Sequence, residues 1–332
     1  MANLSDVAKM AGVSVTTVSR FLNGSLSLPE TTAHRIRSAV DALRYVPNPH
    51  ARRLSRGRSE VFGLIVPDIA APFFATLVAA IEEEADRLGL GLALHATLNR
   101  PDRELRYLEA LRMRHVDGMI FVTNRPGDEA LLSAIDGSRN IVLLDEDVQG
   151  SAARKLFCDN EQGGRLAGAH LAAAGHRSVL FAGCAAEMIS GRLRYSGFEA
   201  GLREAGDGPV RIARFLGPYT HETGRSAARY FLGLDPRPTA IFATSDEIVV
   251  GVVETLREAR VAIPDEVSLV GFDDVGPLHL FAPSITAIRQ PVRELGRRAL
   301  GILFEADDSP PPELLPVTLV ERASVAPPAR TI

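Results

Sequence analysis

The sequence of 332 residues has no tryptophan, only two cysteines and no long uninterrupted apolar run. Cys158 and Cys184 are too few for a disulfide framework or a zinc site, so we expect small buried residues in a reducing compartment. The longest apolar runs, 61–67 and 118–123, have the length of buried strands and are too short to cross a membrane. These features exclude a disulfide-stapled secreted domain and a membrane-spanning protein.

Signals of export and of catalysis are also missing from the sequence. Residues 1–6 contain no basic segment followed by an apolar stretch, so we expect a cytoplasmic protein without a secretory signal. There is no glycine-rich phosphate loop, metal-ligand cluster or nucleophile–histidine–acid order. We therefore expect neither an enzyme nor a metal or cofactor site, and we interpret lone histidines such as His176 and His221 as structural.

Charge is distributed unevenly along the chain. Residues 1–60 contain nine Lys or Arg and four Asp or Glu, a net charge of +5, although the whole chain has a net charge of −4. A basic segment at the start of an acidic protein favours binding of a polyanion at that end. A general abundance of arginine would produce the same excess, so charge alone does not establish nucleic-acid binding.

The first residues predict short helices joined by tight turns. Ser5 is expected to cap a helix over 6–10, and Ser14 a second helix over 15–22. Gly12 supplies the turn between them. This spacing is typical of a helix-turn-helix, in which the second helix enters the major groove of DNA.

A third helix is expected from Pro29 to about residue 44, which would complete this DNA-reading head. Arg20 is expected to bind guanine, and Val15 or Thr16 to contact a thymine methyl group. Side chains near the phosphates would fix the position of the head without reading sequence. The alternative is a small helical subdomain in which Arg20 is merely solvated. The predicted DNA contacts in the head are Ser14, Val15, Thr16, Thr17, Ser19, Arg20, Asn23, Thr32 and Arg35.

From residue 61 onward, apolar runs alternate with amphipathic stretches. Alternating strands and helices predict an α/β protein with parallel sheets covered by helices on both faces. The strands are too many for one open sheet, so two lobes are expected, with a ligand in the cleft beyond the strands' carboxyl ends. The predicted strands are 61–66, 90–96, 118–122, 141–144, 179–182, 240–243 and 268–271. The predicted helices are 73–88, 102–114, 162–174, 191–205, 222–232 and 247–259.

Ten short motifs, in order along the chain, resemble the lactose-repressor/galactose-repressor family of bacterial regulators. The resemblance extends over essentially the whole sequence and implies a helix-turn-helix domain followed by a two-lobed domain similar to periplasmic binding proteins. The motifs occupy residues 4–8, 11–14, 17–20, 45–48, 51–54, 159–160, 175–176, 197–198, 271–274 and 290–291.

The resemblance also implies a domain organisation. Residues 1–46 would form the head, 47–59 a hinge helix, and 60–332 the effector-binding and dimerisation domain. The hinge would place Leu54 as a wedge in the minor groove, with Arg52 near phosphate. Taken alone, the hinge segment would be interpreted as a plain basic linker. The first lobe is expected at about 60–159 plus 290–317, and the second at about 160–289 plus 318–330.

Effector contacts are likewise implied by the resemblance, at positions that match the family's motifs. Asp273 would accept hydrogen bonds from the ligand, Arg194 would donate to it, and Tyr219 would stack on its ring. Structural alternatives remain open: Phe73 and Phe74 as helix-face core, for example. Glu146 and Asp147, which follow Asp145, are interpreted as a solvated loop. The implied effector residues are Phe73, Phe74, Asp145, Arg194, Tyr219, Ser245, Asp273 and Gln290.

Two departures from the family affect the identity of the ligand. Many relatives have asparagine where this chain has Ser245 and Ala71. Several carboxylates beside one arginine favour a neutral polyhydroxylated effector, a ribose-like pentose or a hexose, and a purine stacked on Tyr219 is the alternative. Substituting Asp273 or Arg194 is expected to abolish ligand binding and leave the fold intact.

The sequence therefore predicts a cytoplasmic, nucleoid-associated homodimer that binds a pseudopalindromic operator and represses genes of carbohydrate uptake or catabolism. No heptad helix of the kind that forms tetramers follows residue 317, and the sequence does not distinguish a dimer from a higher assembly. Sugar-acid-responsive regulation, a sugar-binding module without DNA function and an α/β enzyme are the remaining alternatives. The sequence does not distinguish an inducer from a corepressor.

Overall fold

The computed structural model describes residues 2–45, 59–113, 115–138, 140–184, 187–305 and 312–328. Contacts between Cα atoms divide the chain into an N-terminal unit, residues 1–60, and a C-terminal unit, residues 61–332.

The described part of the N-terminal unit, residues 2–45 and 59–60, forms α1 (Leu4–Ala11), α2 (Val15–Leu22) and α3 (Glu30–Ala42). Asn3 caps α1, because its Oδ1 accepts hydrogen bonds from the backbone N–H groups of Ser5 and Asp6. The Asp6 carboxylate accepts in return from the Asn3 N–H at 2.9 Å, which completes a capping box. The prediction that Ser5 caps this helix is therefore wrong, since Ser5 lies inside it.

The three helices enclose a small apolar core. Val7, Val18 and Ile36, one from each helix, are fully buried. Gly12 ends α1 with a φ of +64°, a left-handed conformation that glycine adopts without steric cost. This turn separates α1 from α2 as a helix-turn-helix requires.

The C-terminal unit alternates strands with helices along the chain. Its strands are β1 (Val61–Val66), β2 (Gly91–Ala96), β3 (Met119–Phe121), β4 (Ile141–Leu144), β5 (Arg154–Cys158), β6 (Ser178–Gly183), β7 (Arg211–Leu216), β8 (Ala240–Ala243), β9 (Ser268–Asp273), β10 (Thr286–Arg289), β11 (Glu313–Leu315) and β12 (Thr318–Val320). Its helices are α4 (Pro72–Leu88), α5 (Pro101–Arg112), α6 (Glu129–Asp136), α7 (Asn160–Ala173), α8 (Ile189–Glu204), α9 (His221–Leu232), α10 (Asp246–Glu258) and α11 (Val292–Phe304), with a 3₁₀ turn at Pro277–Leu280.

In the described part of the C-terminal unit, two six-stranded sheets define two lobes. The first sheet has the order β11-β5-β4-β3-β1-β2 and is parallel throughout. The second has the order β12-β10-β9-β8-β6-β7 and is parallel except for the antiparallel pair β10–β12. Helix α11 packs against α4 and the first sheet, and α7 packs against α8 and the second. The predicted α/β class with mainly parallel sheets is confirmed.

Several elements were not predicted from the sequence: α6, α11, β5, β7, β10, β11 and β12. Most of these strands are short or lie at sheet edges, where apolar runs are brief. Strand β5 begins with Arg154 and Lys155, a polar pair that hides it in a hydropathy pattern. Arg154 is nevertheless buried, because its guanidinium donates to backbone carbonyls at the end of α11, including that of Leu303 at 3.2 Å.

Helices α7 and α8 pack with their backbones in close contact. A side chain at Gly197 would overlap the carbonyl oxygen of Glu161 on the facing helix. Glycine is therefore required there for close approach rather than for a special backbone angle. The close packing fixes α8, which carries Arg194, against the start of α7.

Candidate functional site

In the first lobe, a polar side chain follows the carboxyl end of each of the strands β1, β2, β3 and β4. Asp68, Asn99, Asn124 and Asp145 come after β1, β2, β3 and β4, and all four line one cavity. Parallel strands end at the same edge of a sheet, which brings these residues together.

The second lobe supplies the opposite wall of the same cavity. Tyr219 and Thr220 follow β7, Ser245 and Asp246 follow β8, and Asp273 ends β9. The cavity has a volume of about 110 Å³ and is lined by residues of both lobes, so we refer to it as the interlobe cavity. The structure brings all the effector residues implied by the sequence to this cavity: Phe73, Phe74, Asp145, Arg194, Tyr219, Ser245, Asp273 and Gln290.

The aromatic wall of the cavity comes from the start of α4. Pro72 begins the helix, and Phe73 and Phe74 are both buried. Their rings meet edge to face, with centroids 5.3 Å apart. Both residues also belong to the apolar core. Phe73 and Phe74 are therefore core residues that also line the cavity, and the two interpretations do not exclude each other.

Arg194 is the only cation among the described residues that line the cavity. Its Nε donates to Asn160 Oδ1 at 2.7 Å, and its Nη1 donates to the Thr244 carbonyl at 2.6 Å. The guanidinium carbon lies 3.8 Å from the ring centroid of Phe272, and Nη1 lies 3.7 Å from Asp273 Oδ1. Through these contacts Arg194 links α7, the end of β8 and β9 of the second lobe, and it also lines the cavity.

Asp273 is held at the edge of β9 by hydrogen bonds from neighbouring elements. Its Oδ1 accepts from Gln290 Nε2 at 2.7 Å, and its Oδ2 accepts from the backbone N–H of Asp246 at 3.3 Å. Its backbone φ of +80° is strained for a residue with a side chain and turns the chain at the cavity edge. Burial raises the pKa of Asp273, and Arg194 opposes this rise.

Asp246 is a second buried carboxylate beside Asp273. It accepts backbone hydrogen bonds from Asp274, Val275 and Gly276, the last at 2.6 Å. Burial and the neighbouring Asp273 charge nevertheless raise its pKa to about 7. Asp246 therefore stabilises the loop after β9 through these hydrogen bonds. It also adds a carboxyl group to the lining of the cavity.

Asp145 lines the cavity and carries a buried acceptor. Its Oδ1 is buried and has no hydrogen-bond partner within the described ranges. Its φ of +70° places the side chain at a sharp bend after β4. Burial, together with the charges of Glu146 and Asp273, raises the pKa of Asp145 to about 7, and Arg194 acts in the opposite direction.

The interpretation of Glu146 as part of a solvated loop is wrong. Glu146 is 3% exposed and accepts hydrogen bonds at the start of α8, including one from Ser190 Oγ at 2.5 Å. Asp147 is mostly buried and forms an ion pair with Lys155 at 2.8 Å. Each charge has a partner distant in sequence, which a local charge pattern does not reveal.

Ser190 and Tyr219 meet at the cavity wall. The Ser190 hydroxyl donates to Glu146, which leaves its oxygen to accept from the Tyr219 hydroxyl 3.3 Å away. Burial raises the pKa of Tyr219, so it remains a neutral donor. Ser245, by contrast, caps α10, because its Oγ accepts a hydrogen bond from the Ile248 N–H at 3.3 Å.

In the N-terminal unit, the start of α2 is presented to solvent. Val15, Thr16 and Arg20 are exposed, and Ser19 is half-buried. Ser14 caps the helix, because its Oγ accepts from the Thr17 N–H at 3.1 Å.

The predicted phosphate contacts of the head lie at the two ends of α2, within α2 and on α3. Ser14 and Thr17 join their hydroxyls at 2.8 Å within the cap. Arg35 Nη2 lies 3.5 Å from Thr32 Oγ1 on α3, and Asn23 follows α2 and is half-buried. Arg52 and Leu54 lie outside the described residues.

Comparisons with known proteins agree with this architecture. Residues 3–48 match the lacI family of bacterial regulatory proteins, and residues 59–320 match the periplasmic binding proteins and sugar-binding domain of the LacI family. The HTH-type transcriptional repressor PurR of Mannheimia succiniciproducens is 34% identical over 307 residues, 92% of each chain. The chain belongs to the LacI family of bacterial regulators. It is thus a DNA-binding transcriptional repressor with a ligand-binding domain, and not an enzyme.

Solved LacI-family structures have the same fold. The lac repressor dimer bound to operator and the anti-inducer ONPF is 27% identical, with a TM-score of 0.84 over 98% of this chain and 99% of that one. A LacI-family regulator of Enterococcus faecium with bound ribose is 28% identical, with a TM-score of 0.71 over 80% of this chain and 99% of that one.

Sequence reasoning missed several residues of the LacI-type cavity: Asp68, Asn99, Asn124, Ser190, Thr220 and Glu247. A simple signal would have found the first three, which are polar residues within three positions of a strand's carboxyl end. Ser190 gives no such signal, since it lies in the first turn of a helix and not after a strand. No helix in the described part of the chain is long and apolar enough to span a membrane, and its His, Cys, Asp and Glu residues form no metal-binding group.

Proposed function

We propose that this repressor is a homodimer that binds a pseudopalindromic operator and responds to a neutral sugar in the interlobe cavity. Residues 1–46 would read DNA, 47–59 would form the hinge, and 60–332 would bind the effector and dimerise. Its targets would be genes of carbohydrate uptake or catabolism. The protein would act in the cytoplasm, on the nucleoid.

The DNA-reading role rests on the exposed face of α2. Thr16 and Arg20 project from a helix that is capped at Ser14 and anchored by buried Val18. An exposed arginine there can make a bidentate contact to guanine in the major groove. Leu54 remains the proposed minor-groove wedge, and Arg52 a phosphate contact.

The observation that carries the sugar proposal concerns two buried acceptors on residues that line the cavity. Asp145 Oδ1 and Gln290 Oε1 are buried and lack hydrogen-bond partners among the described residues. The nearest cation, Arg194, already donates to Asn160 and to a backbone carbonyl. Unsatisfied buried acceptors are costly, so the ligand that fits best brings several donors and no negative charge. Sugar hydroxyls meet this requirement.

A purine effector is the second candidate. It is favoured by relatives named as PurR repressors and by the aromatic side chain of Tyr219 at the cavity wall. Hypoxanthine carries fewer N–H donors than a pentose has hydroxyl groups, so it would leave more of the acceptors unsatisfied. The bound ribose of the Enterococcus faecium regulator favours the sugar.

A ligand screen separates the two candidates. Thermal unfolding of the full chain is measured with ribose, other pentoses, hexoses, hypoxanthine and guanine. A ligand at a hundred times its dissociation constant adds about 2.7 kcal/mol to the free energy of unfolding. Asp145→Asn should reduce the gain from the true effector. Stabilisation by purines alone would replace the sugar proposal with the purine one.

Footprinting on the DNA upstream of the protein's own coding sequence tests the regulatory role. We expect a protected site with two half-sites, and an effector-dependent change in its affinity, because the two binding events are thermodynamically coupled. An operator affinity that stays constant at saturating effector would contradict the coupling. Sedimentation in the presence and absence of the operator tests the dimer.

A further inference from the structure

Glu146 connects the two lobes beside the interlobe cavity. It follows β4 of the first lobe, yet its carboxylate accepts hydrogen bonds at the start of α8 in the second lobe. Its Oε1 accepts from the Ile189 N–H at 2.9 Å, and its Oε2 accepts from Ser190 Oγ at 2.5 Å and from the Ser190 N–H at 3.3 Å. Glu146 is 3% exposed, so these contacts form in a protected interface.

Among the residues that the structure describes, the N-cap residue of helix α8 gives its first turn no side-chain cap. Met188 occupies the N-cap position, and its side chain makes no capping hydrogen bond. The first backbone N–H groups of a helix lack partners within it and carry partial positive charge, so a carboxylate placed there is favourable. Glu146 supplies this carboxylate from the other lobe.

The helix that Glu146 caps also carries cavity residues. Ser190 and Arg194 lie one turn apart on α8, and both line the cavity. The Ser190 hydroxyl meets Tyr219 at 3.3 Å. A movement of α8 relative to β4 would therefore displace three residues of the cavity wall together.

We propose that Glu146 is a positioning residue that latches the two lobes together beside the cavity. It fixes α8 against the end of β4 and so presets Ser190 and Arg194 for the effector. Removing the latch shifts the protein toward an open arrangement of the lobes. The proposal needs only the two lobes, so the identity of the effector and of the operator does not bear on it.

Asp147 provides a matched control. It lies next to Glu146 in the same loop, and its partner Lys155 is in β5 of the same lobe, at 2.8 Å. Asp147→Ala therefore removes a partly buried ion pair from the loop without touching the interface between the lobes.

The experiment measures the distance between the lobes in the full chain without ligand. Spin labels are attached at Glu109→Cys on α5 and Arg257→Cys on α10, both exposed positions, and the natural Cys158 and Cys184 are buried. Labelled chains are diluted with unlabelled protein so that distances within one chain dominate. Double electron–electron resonance is recorded for the labelled parent and for Glu146→Ala, Glu146→Gln and Asp147→Ala, with thermal unfolding in parallel.

We expect a longer distance to gain population in Glu146→Ala, with the ratio of open to closed forms rising about tenfold or more, since charge-assisted hydrogen bonds are lost. Glu146→Gln should show a smaller rise, because the amide oxygen can still accept from the Ile189 N–H, whereas the NH2 group that replaces Oε2 cannot accept from Ser190. Asp147→Ala should match the parent. Lower thermal stability without a longer distance in Glu146→Ala, or an equal opening in Asp147→Ala, would overturn the latch. If Glu146→Ala does not fold, the distance measured in Glu146→Gln is compared with those in the parent and in Asp147→Ala, and the same outcomes support or overturn the latch.

Discussion

Gln290 donates from its Nε2 to Asp273 Oδ1 at 2.7 Å, at the point where the chain leaves β10 of the second lobe for α11 of the first. The backbone N–H of Gln290 donates to the Asp273 carbonyl at 3.2 Å as well. One residue at a crossover between the lobes thus satisfies a buried carboxylate of the cavity. Its own Oε1 is left as a buried acceptor with no partner among the described residues.

Replacing Gln290 with leucine should destabilise the protein and impair effector binding. The variant leaves the buried Asp273 carboxylate without its side-chain donor, which costs about 1–3 kcal/mol. Urea unfolding followed by circular dichroism measures the change. Gln162→Leu, at an exposed position of α7, is the control and should change the free energy of unfolding by less than about 0.5 kcal/mol. Equal effects of the two substitutions would contradict the assigned role of Gln290.

Asp145 should make the stability of the protein depend on pH. Its pKa is about 7 in the folded protein against 3.8 in a solvated chain, because burial disfavours the charged form. The folded protein therefore binds more protons between these values. The contribution of protonated Asp145 to stability is complete below about pH 4 and is lost as the pH rises to about 7.

Asp145→Asn removes this dependence, since asparagine does not titrate. Between pH 5 and pH 8, wild-type protein should lose about 1–3 kcal/mol more unfolding free energy than the variant. Urea unfolding at a series of pH values gives both curves. Asp265→Asn, an exposed position, should follow the wild-type curve. Parallel curves for Asp145→Asn and wild type would mean that Asp145 ionises as in water.

Arg194 should be needed for stability as well as for ligand binding, which differs from the expectation drawn from the sequence. Arg194→Met leaves the cavity carboxylates without a cation and frees Asn160 Oδ1 and the Thr244 carbonyl. Breaking one side of a buried charge cluster costs about 3–5 kcal/mol. Denaturant unfolding should show this loss, whereas Arg192→Met, at an exposed position of the same helix, should stay close to wild type. A folded Arg194→Met protein of wild-type stability would restore the original expectation.

We expect Arg20 to contact the edge of a DNA base and not a phosphate group. Arg20→Ala should weaken binding to the operator about tenfold or more, with a smaller effect on unrelated DNA of equal length. Fluorescence anisotropy at one fixed salt concentration measures both affinities. Arg37→Ala removes the same charge from α3, where Arg37 pairs with Glu30 at 2.8 Å, and serves as the control. A uniform loss on both DNAs would assign Arg20 to the phosphate backbone.

Local sequence patterns were sufficient where structure depends on near neighbours. The turn at Gly12, the cap at Ser14 and the buried Val18 all follow from spacing within a few residues. Alternating apolar and amphipathic segments were enough to predict parallel sheets. Because such sheets gather their strand ends at one edge, Asp145 was expected beside the other strand ends of its lobe. Its assignment to the same ligand site as Asp273 of the second lobe rested on the family resemblance.

The tertiary structure alone decided which charges are partnered across the chain. Glu146 and Asp147 are adjacent acids in one loop, and nothing in their local pattern separates them. One accepts from Ser190, 44 positions away in the other lobe, and the other pairs with Lys155 in its own lobe. Sequence periodicity records which face of an element is buried, but burial of a charge depends on a partner that only folding brings near. For that reason the cavity was predictable from the sequence, whereas the contact that joins its two walls was not.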